Sequence, residues 1–276
     1  MQTLDDLKSK IRLLYSYPAT REQALKLEDD LRTSYRNGTI PFDVGSLQCD
    51  FELDKFITQD LDMLKMKEDV RKLVNLDDPV LIHGESGTGK SIIAKALHGP
   101  RKGKFVHVNC TSMPDELIES ELFGHKKGSF TGAIADRVGK FQEASGGTIF
   151  LDEIGDMPIN MQTKLLLAIE EKWICQVGSN EEIPINCRII SATNQDVKTK
   201  IRNDLYWRLS VFELSISPLR NRLLDVELIA KSIDPNFPIK DFLNTPRHAE
   251  DEYIGLYGNV RQLQRAIKRW KTLSVK

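Results

Sequence analysis

The sequence has few cysteines, no long apolar run and almost no net charge, and each of these absences excludes a class of protein. Cys49, Cys110, Cys175 and Cys187 lie far apart and form no C-x-x-C pair, so neither a disulfide framework nor a zinc site is indicated. Apolar runs are far shorter than a membrane span, and no signal peptide follows Met1. A net charge of -1 favours neither nucleic acid nor membrane partners. We therefore expect a globular protein of a reducing cytoplasm, without a membrane partner.

The length and composition are those of an ordinary globular chain with room for one large and one small domain. Of 276 residues, 40% are hydrophobic and 29% are charged. Leucines at helical spacing before Pro18 and again before Asn37 predict a pair of helices at the start of the chain. Strand signals stop after Pro218. We expect a helical N-terminal extension over 1–50, an α/β core over 51–220 and a helical lid over 221–276.

The clearest motif is a glycine-rich loop between a short buried strand and a helix. Val80 to Ile82 form the apolar strand, GESGTGKS follows, and Ile92 to His98 continue as a helix. This order fits the phosphate-binding loop, in which backbone N–H groups and a helix N-terminus surround phosphate oxygens. Lys90 is expected to reach the β- and γ-phosphates of ATP, and the Ser91 hydroxyl to bind Mg²⁺. The loop residues predicted to bind nucleotide are Gly84, Glu85, Ser86, Gly87, Thr88, Gly89, Lys90 and Ser91.

Further apolar segments alternate with helical ones, which predicts a parallel sheet covered by helices on both faces. The predicted strands are 105–110, 147–153, 188–194 and 211–216, and a hairpin is predicted from 173–177 and 183–185. The predicted helices are 61–73, 114–122 and 160–171, and Ser112 is the predicted N-terminal cap of the second of these.

Polar residues at the ends of two predicted strands supply the other parts that nucleotide hydrolysis requires. Asp152 ends an apolar strand, where it can hold Mg²⁺, and Glu153 beside it can polarise the attacking water. Thr193 and Asn194 end another strand and can contact the γ-phosphate or the water, although Thr-Asn is also common in turns.

Two arginines, Arg202 and Arg208, flank the segment NDLYW. Either could stabilise the transition state as an arginine finger, but composition alone favours solvated or salt-bridged side chains.

A second unusual stretch is GSFTGA, which places Phe130 between glycines on a loop with basic neighbours. An exposed aromatic on such a loop suits contact with a partner. A hairpin turn whose Phe130 folds back onto its own sheet fits the residues equally well. The loop residues are Gly128, Ser129, Phe130, Thr131, Gly132 and Ala133.

Together these segments resemble the AAA+ domain of bacterial enhancer-binding proteins, the activators of sigma-54 RNA polymerase. The likeness extends from about residue 73 to 269. It is carried by the segments GESGTGKS, VNC, ESELFGH, GSFTGA, GGTIFLDEIGDMP, SATNQD, IRNDLYWRLSVFEL, PLRNR and GNVRQL. The corresponding loop of the family normally reads GAFTGA, so Ser129 replaces an alanine while Phe130 and Thr131 stay in place.

The resemblance implies an ATPase that assembles into a ring, usually a hexamer, and a role for each matching residue. Walker A is matched by Lys90 and Ser91, and Walker B by Asp152 and Glu153. Asn109 matches an asparagine that holds the catalytic glutamate in an idle pose. In the remaining matches, sensor I is Thr193 and Asn194, sensor II is Arg261, and the fingers that reach a neighbouring subunit are Arg202 and Arg208.

The function that the resemblance implies is remodelling of the closed promoter complex through the GSFTGA loop, which contacts sigma-54 according to nucleotide state. The segment between Asn194 and Arg202 is shorter than usual, the lid looks short, and Tyr257 replaces a proline. We expect no room for a helix-turn-helix after the lid, so either a DNA-binding tail is left off or the activator works without one and contacts promoter DNA indirectly. Two alternatives remain: a regulator that binds sigma-54 or an activator without hydrolysis, and a different AAA+ motor that acts on DNA.

Overall fold

A computed structural model of the chain describes residues 45–112, 114–195, 197–235, 237–239 and 256–274. The helical pair predicted near the start of the chain lies outside the described residues.

The centre of the molecule is a five-stranded parallel sheet. Its strands are β1 (Val80–Gly84), β2 (Phe105–Asn109), β5 (Thr148–Asp152), β8 (Arg188–Thr193) and β9 (Phe212–Ile216). They lie in the order β2-β5-β8-β1-β9. Two short antiparallel pairs lie outside it: β3 (Gly124–His125) with β4 (Arg137–Val138), and β6 (Trp173–Ile174) with β7 (Ile183–Pro184). The predicted parallel sheet and hairpin are confirmed.

Helices cover both faces of this sheet, as the continuous apolar strands predict. Along β1, Leu81 packs into one core cluster, whereas Val80 and Ile82 pack into the cluster on the opposite face. The helices of the sheet region are α1 (Gly45–Asp54), α2 (Leu61–Leu73), α3 (Lys90–His98), α4 (Asp115–Phe123), α5 (Lys140–Glu143), α6 (Ile159–Glu171), α7 (Val197–Lys200) and α8 (Asn203–Leu209).

After the sheet, two helices form a separate core cluster around Leu219. They are α9 (Leu224–Ile233) and α10 (Asn259–Ser274). The apolar face of α10 is buried as its spacing predicts, and its basic residues Arg265, Lys268 and Arg269 are exposed. Among the described residues, no helix has the length and apolar character needed to cross a bilayer.

The start of α4 differs from the prediction of a Ser112 cap. The helix begins after Pro114, whose carbonyl accepts the backbone N–H groups of Leu117 and Ile118. The Ser112 hydroxyl donates instead to the Asn109 carbonyl oxygen, at 2.9 Å. Proline lacks an N–H and has a fixed φ, so it suits a helix start without a capping side chain.

Candidate functional site

A cavity of about 290 Å³ lies where β1 ends and α3 begins. It is bordered by the glycine-rich loop, by the acidic pair after β5 and by the lid helices α9 and α10. The sequence-predicted residues that line it are Ser86, Gly87, Thr88, Gly89, Lys90, Ser91, Asp152, Glu153 and Arg261. Residues 55–57, which precede α2, also line the cavity and were not predicted from sequence.

The loop has the backbone geometry that an anion site requires. Gly87 and Gly89 have φ values of 79° and 113°, which side chains other than glycine rarely adopt. A Cβ at Gly89 would also lie 2.9 Å from the Phe56 ring. Gly89 precedes α3, and no side chain caps the first amides of that helix. These amides and the helix dipole favour phosphate.

Lys90 and Glu153 meet inside the cavity. The Lys90 Nζ lies 2.8 Å from the Gly84 carbonyl oxygen and 3.3 Å from Glu153 Oε1. The other carboxylate oxygen of Glu153 accepts the Asn194 backbone N–H at 3.1 Å. Glu153 has a φ of 54°, a left-handed conformation that costs on the order of 1–3 kcal/mol and is typical of functional positions. Hydrogen bonds thus link three predicted site residues directly: Lys90, Glu153 and Asn194.

Asp152 and Ser91 supply oxygen donors to the same cavity. Asp152 Oδ1 accepts the Glu153 N–H at 3.2 Å, and Oδ2 lies 3.3 Å from His107 Nε2. A hydroxyl and a carboxylate are the donor types that Mg²⁺ takes. The described residues contain no group of three or more His, Cys, Asp or Glu side chains that could hold a metal. This donor set therefore fits an ion that completes its shell with phosphate and water oxygens.

The side chains of Asn109 and Thr193 bond to nearby backbone groups in this structure. Asn109 pairs with Asp152 in the sheet, but its side-chain oxygen accepts the Thr111 N–H at 3.0 Å. The Thr193 hydroxyl is buried and accepts the Gln195 N–H at 3.1 Å. Both side chains bond to their own backbone two residues on, as Asn and Thr do in turns. In this structure Glu153 is therefore held by Lys90 and Asn194, and the predicted hold by Asn109 is not formed.

Arg202 and Arg208 do not line the cavity of their own chain. Arg202 forms a two-point ion pair with Asp204 that holds the pKa of this carboxyl at about 2. Arg208 Nε donates to Glu170 Oε1 at 2.8 Å. Both guanidinium groups lie on the exposed side of α8.

The GSFTGA loop is closed at its base and open at its tip. The Gly128 N–H donates to the Ala133 carbonyl oxygen at 2.8 Å. Phe130 is 37% exposed, and its ring rests edge-on against His125, with ring centroids 5.0 Å apart. The Ser129 Oγ is buried without a hydrogen-bond partner. Phe130 is therefore neither fully exposed nor folded into the sheet.

Arg220, Asn259 and Arg261 form a cluster that contacts the glycine-rich loop, and of these three only Arg261 was predicted as a site residue. Arg220 forms a two-point ion pair with Glu85, at 2.6 and 2.5 Å. Asn259 Nδ2 lies 3.1 Å from Glu85 Oε2, and Arg261 lies 3.3 Å from Ser86 Oγ. Arg220 is the main cause of a Glu85 pKa below its ordinary value. The segments PLRNR and GNVRQL contain these residues, but only the resemblance singled them out.

The fold and the site define an AAA+ nucleotide-binding protein of the P-loop class. Strand β8 lies between β1, which leads into the phosphate loop, and β5, which ends in the acidic pair. The lid contacts the phosphate loop directly.

Comparison with known proteins places the chain in a family within that class. Residues 56–215 match the sequence model of the family described as the sigma-54 interaction domain. The chain belongs to this family.

Relatives and solved structures agree with this membership. The chain is 44% identical to the response regulator protein PilR of Pseudomonas aeruginosa, over 76% of this chain and 50% of PilR. It is 42% identical to the sigma54-dependent transcriptional activator SfnR of Pseudomonas putida, over 68% of this chain and 55% of SfnR. A crystal structure of NtrX from Brucella abortus in complex with ATP superposes with a TM-score of 0.68 and 26% identity, over 85% of this chain and 57% of NtrX. The chain spans about half the length of the curated relatives that it matches.

Proposed function

We propose that the chain binds and hydrolyses ATP and uses the cycle to activate transcription through sigma-54. The observation that carries this proposal is the junction of Lys90, Glu153 and Asp152 in one cavity beside the phosphate loop. Family membership and the GSFTGA loop supply the expected partner. The ATP complex of the similar protein NtrX supports the choice of nucleotide.

In this proposal the phosphate loop and the lid bind the nucleotide. The amides of Gly87 to Ser91 surround the phosphates, and Lys90 neutralises their charge. Arg261 approaches from the lid, where it already borders the cavity. Phe56 and Ile57 border the cavity and would supply apolar contact for the base.

Hydrolysis depends on Glu153 in the role of water-polarising base. Its carboxylate is now bonded to Lys90 and to the Asn194 N–H. Phosphate binding to Lys90 would compete for that cation and free one carboxylate oxygen. Ser91 and Asp152 would hold Mg²⁺, which when bound neutralises charge on the phosphate oxygens. Asn109 lies beside Asp152 in the sheet and would hold Glu153 in a different nucleotide state.

Arg202 and Arg208 act on a neighbouring copy of the chain. Both are exposed on α8 and neither borders the cavity of its own chain. A ring, which we propose to be a hexamer, would bring them to the next subunit's phosphates and place each site between two subunits. In this arrangement 51–220 would be the ATPase core and 221–276 the lid.

The GSFTGA loop is the proposed contact for sigma-54. Gly128 and Gly132 have positive φ, and a Cβ at either position would meet no atom within 4 Å. In one nucleotide state the Phe130 ring would leave its contact with the His125 ring and Thr131 would move with it. In another state both would return, as in a two-state loop biased by a ligand.

The decisive test measures phosphate release from ATP by the purified full chain, with and without DNA. Hydrolysis that is independent of DNA supports the proposal. Absence of hydrolysis despite ATP and sigma-54 binding would favour a non-hydrolysing regulator. Hydrolysis that requires DNA would favour a motor acting on DNA.

A further inference from the structure

The backbone carbonyl groups of residues 84–89, in and before the phosphate loop, each have a hydrogen-bond donor. Lys90 Nζ donates to the Gly84 and Glu85 carbonyl oxygens, at 2.8 and 3.3 Å. Backbone N–H groups at the start of α3 donate to the Gly89 carbonyl oxygen. The three carbonyls between them, those of Ser86, Gly87 and Thr88, receive no donor from the loop or from α3 in the described structure.

The lid supplies all three of the remaining donors. Asn259 Nδ2 donates to the Ser86 carbonyl oxygen at 3.1 Å, and the Val260 N–H donates to that of Gly87 at 3.1 Å. Arg222, which is 3% exposed, donates to the Thr88 carbonyl oxygen at 3.3 Å. The lid and the phosphate loop are in such close contact that a Cβ at Gly87 would lie 2.6 Å from the Gly258 carbonyl oxygen.

These contacts determine which way the loop peptides face. In a trans peptide the C=O and the next N–H point in opposite directions. A carbonyl held by the lid therefore turns the following N–H away from that lid donor. Glycines at 87 and 89 leave the chain free to turn these peptides over. The lid donors oppose that freedom, because a buried carbonyl left without a donor is unfavourable.

The lid side of the loop also neutralises the negative charge of Glu85. Its carboxylate belongs to the loop that would bind a triphosphate, so an unpaired charge there would repel the ligand. Arg220 pairs with both carboxylate oxygens, and Asn259 donates to one of them. Asn259 therefore bonds to the side chain of Glu85 and to the backbone of Ser86, while its own oxygen accepts the Leu219 N–H at 2.6 Å.

We propose that Arg220 and Asn259 are positioning residues that hold the phosphate loop in its anion-binding shape and neutralise Glu85, so that lid docking and nucleotide affinity are coupled. This proposal rests on the proposed nucleotide binding. It assigns a role to the PLRNR segment, which the catalytic scheme leaves without one.

A double-mutant cycle tests the electrostatic part. The dissociation constant of Mg-ATP is measured by calorimetry for the wild type, Arg220→Gln, Glu85→Gln and the double variant. We expect Arg220→Gln to weaken binding by about 10-fold or more, because it leaves Glu85 unpaired. The double variant should recover most of that loss. Arg265→Gln, which removes an exposed arginine from α10, is the matched control and should change binding less than two-fold.

Two results of the cycle would overturn the proposal. One is binding by Arg220→Gln within two-fold of the wild type. The other is a double variant whose fold loss of Mg-ATP affinity equals the product of the losses in the two single variants, which would mean that the residues are not coupled. If the wild type itself fails to bind ATP, the proposed function fails rather than the lid contact.

Hydrogen exchange tests the positioning part without nucleotide. In the full chain without nucleotide, Arg220→Gln and Asn259→Ala should speed exchange of the backbone amides of 85–90, while the amides of β5 and β8 keep wild-type rates. Faster exchange across the whole sheet would identify a general loss of stability and overturn the specific claim. Unchanged exchange at 85–90 would contradict it as well.

Discussion

Lys90 Nζ and Glu153 Oε1 lie 3.3 Å apart, so the cation expected at the phosphates and the carboxylate expected at the water neutralise each other. Both side chains are largely buried, which makes their ion pair less screened than one on the surface. Nucleotide phosphates would compete with Glu153 for Lys90. The structure therefore shows a site whose two charged residues are both present but engaged with each other.

Glu153→Gln should retain ATP binding and abolish hydrolysis. The amide is nearly the same size as the carboxylate but cannot accept a proton from water. We expect phosphate release to fall at least 100-fold, with an ATP dissociation constant within a few-fold of the wild type. Turnover at the wild-type rate would refute the assignment of Glu153 as the base.

Thr131→Ala should separate the ATPase from the partner contact. Thr131 lies at the exposed tip of the GSFTGA loop and does not border the nucleotide cavity. We expect normal ATP hydrolysis and loss of sigma-54 binding in a trapped nucleotide state, measured by co-elution on a sizing column. Normal sigma-54 binding by the variant would mean that the GSFTGA loop has a function other than contact with sigma-54.

Ser129→Ala should stabilise the protein. The Ser129 Oγ is buried without a partner, and a Cβ at Gly178 would lie 2.6 Å from Ser129 Cβ. A buried hydroxyl without a partner costs about 1–3 kcal/mol, so urea unfolding should show a gain of about 1 kcal/mol. Ser179→Ala, whose hydroxyl already accepts the Glu181 N–H, is the control and should give no gain. A loss of stability in Ser129→Ala would show that the hydroxyl has a partner in solution.

Acid should weaken the contact between lid and loop through Glu85. Arg220 lowers the folded-state pKa of Glu85 below its ordinary value of 4.5. The pair therefore contributes stability above pH 4.5, and that contribution is lost as the pH falls through the folded-state pKa. Melting temperatures between pH 6 and pH 3 should fall more for the wild type than for Glu85→Gln. Parallel curves for the two proteins would contradict the ion pair.

The sequence predicted the sheet and the residues of the cavity well, because these depend on local patterns. Apolar runs at the strands, the glycine spacing of 84–91 and the acidic pair after β5 are all visible in the chain itself. The strand segments and the position of the phosphate loop were thus accessible from sequence, whereas the order of the strands in the sheet was not predicted.

Contacts between distant segments could not be predicted in the same way. Arg220 and Glu85 are 135 positions apart, and nothing in the composition of either segment indicates their pairing. The contacts of Glu153 in this structure were not predicted either, because the Asn109 side chain accepts the Thr111 N–H here, and its hold on Glu153 stays a prediction. Choices between competing hydrogen bonds depend on the folded geometry rather than on residue type.

Capture of sigma-54 by the purified chain tests the central claim most directly. The measurement is co-elution of the two proteins with no nucleotide, with ADP, and with ADP plus an aluminium fluoride mimic of the transferred phosphate. We predict a stable complex with the mimic and little or none in the other two states. No complex in any state, or the same complex without nucleotide, would contradict the coupling of ATP turnover to the GSFTGA loop.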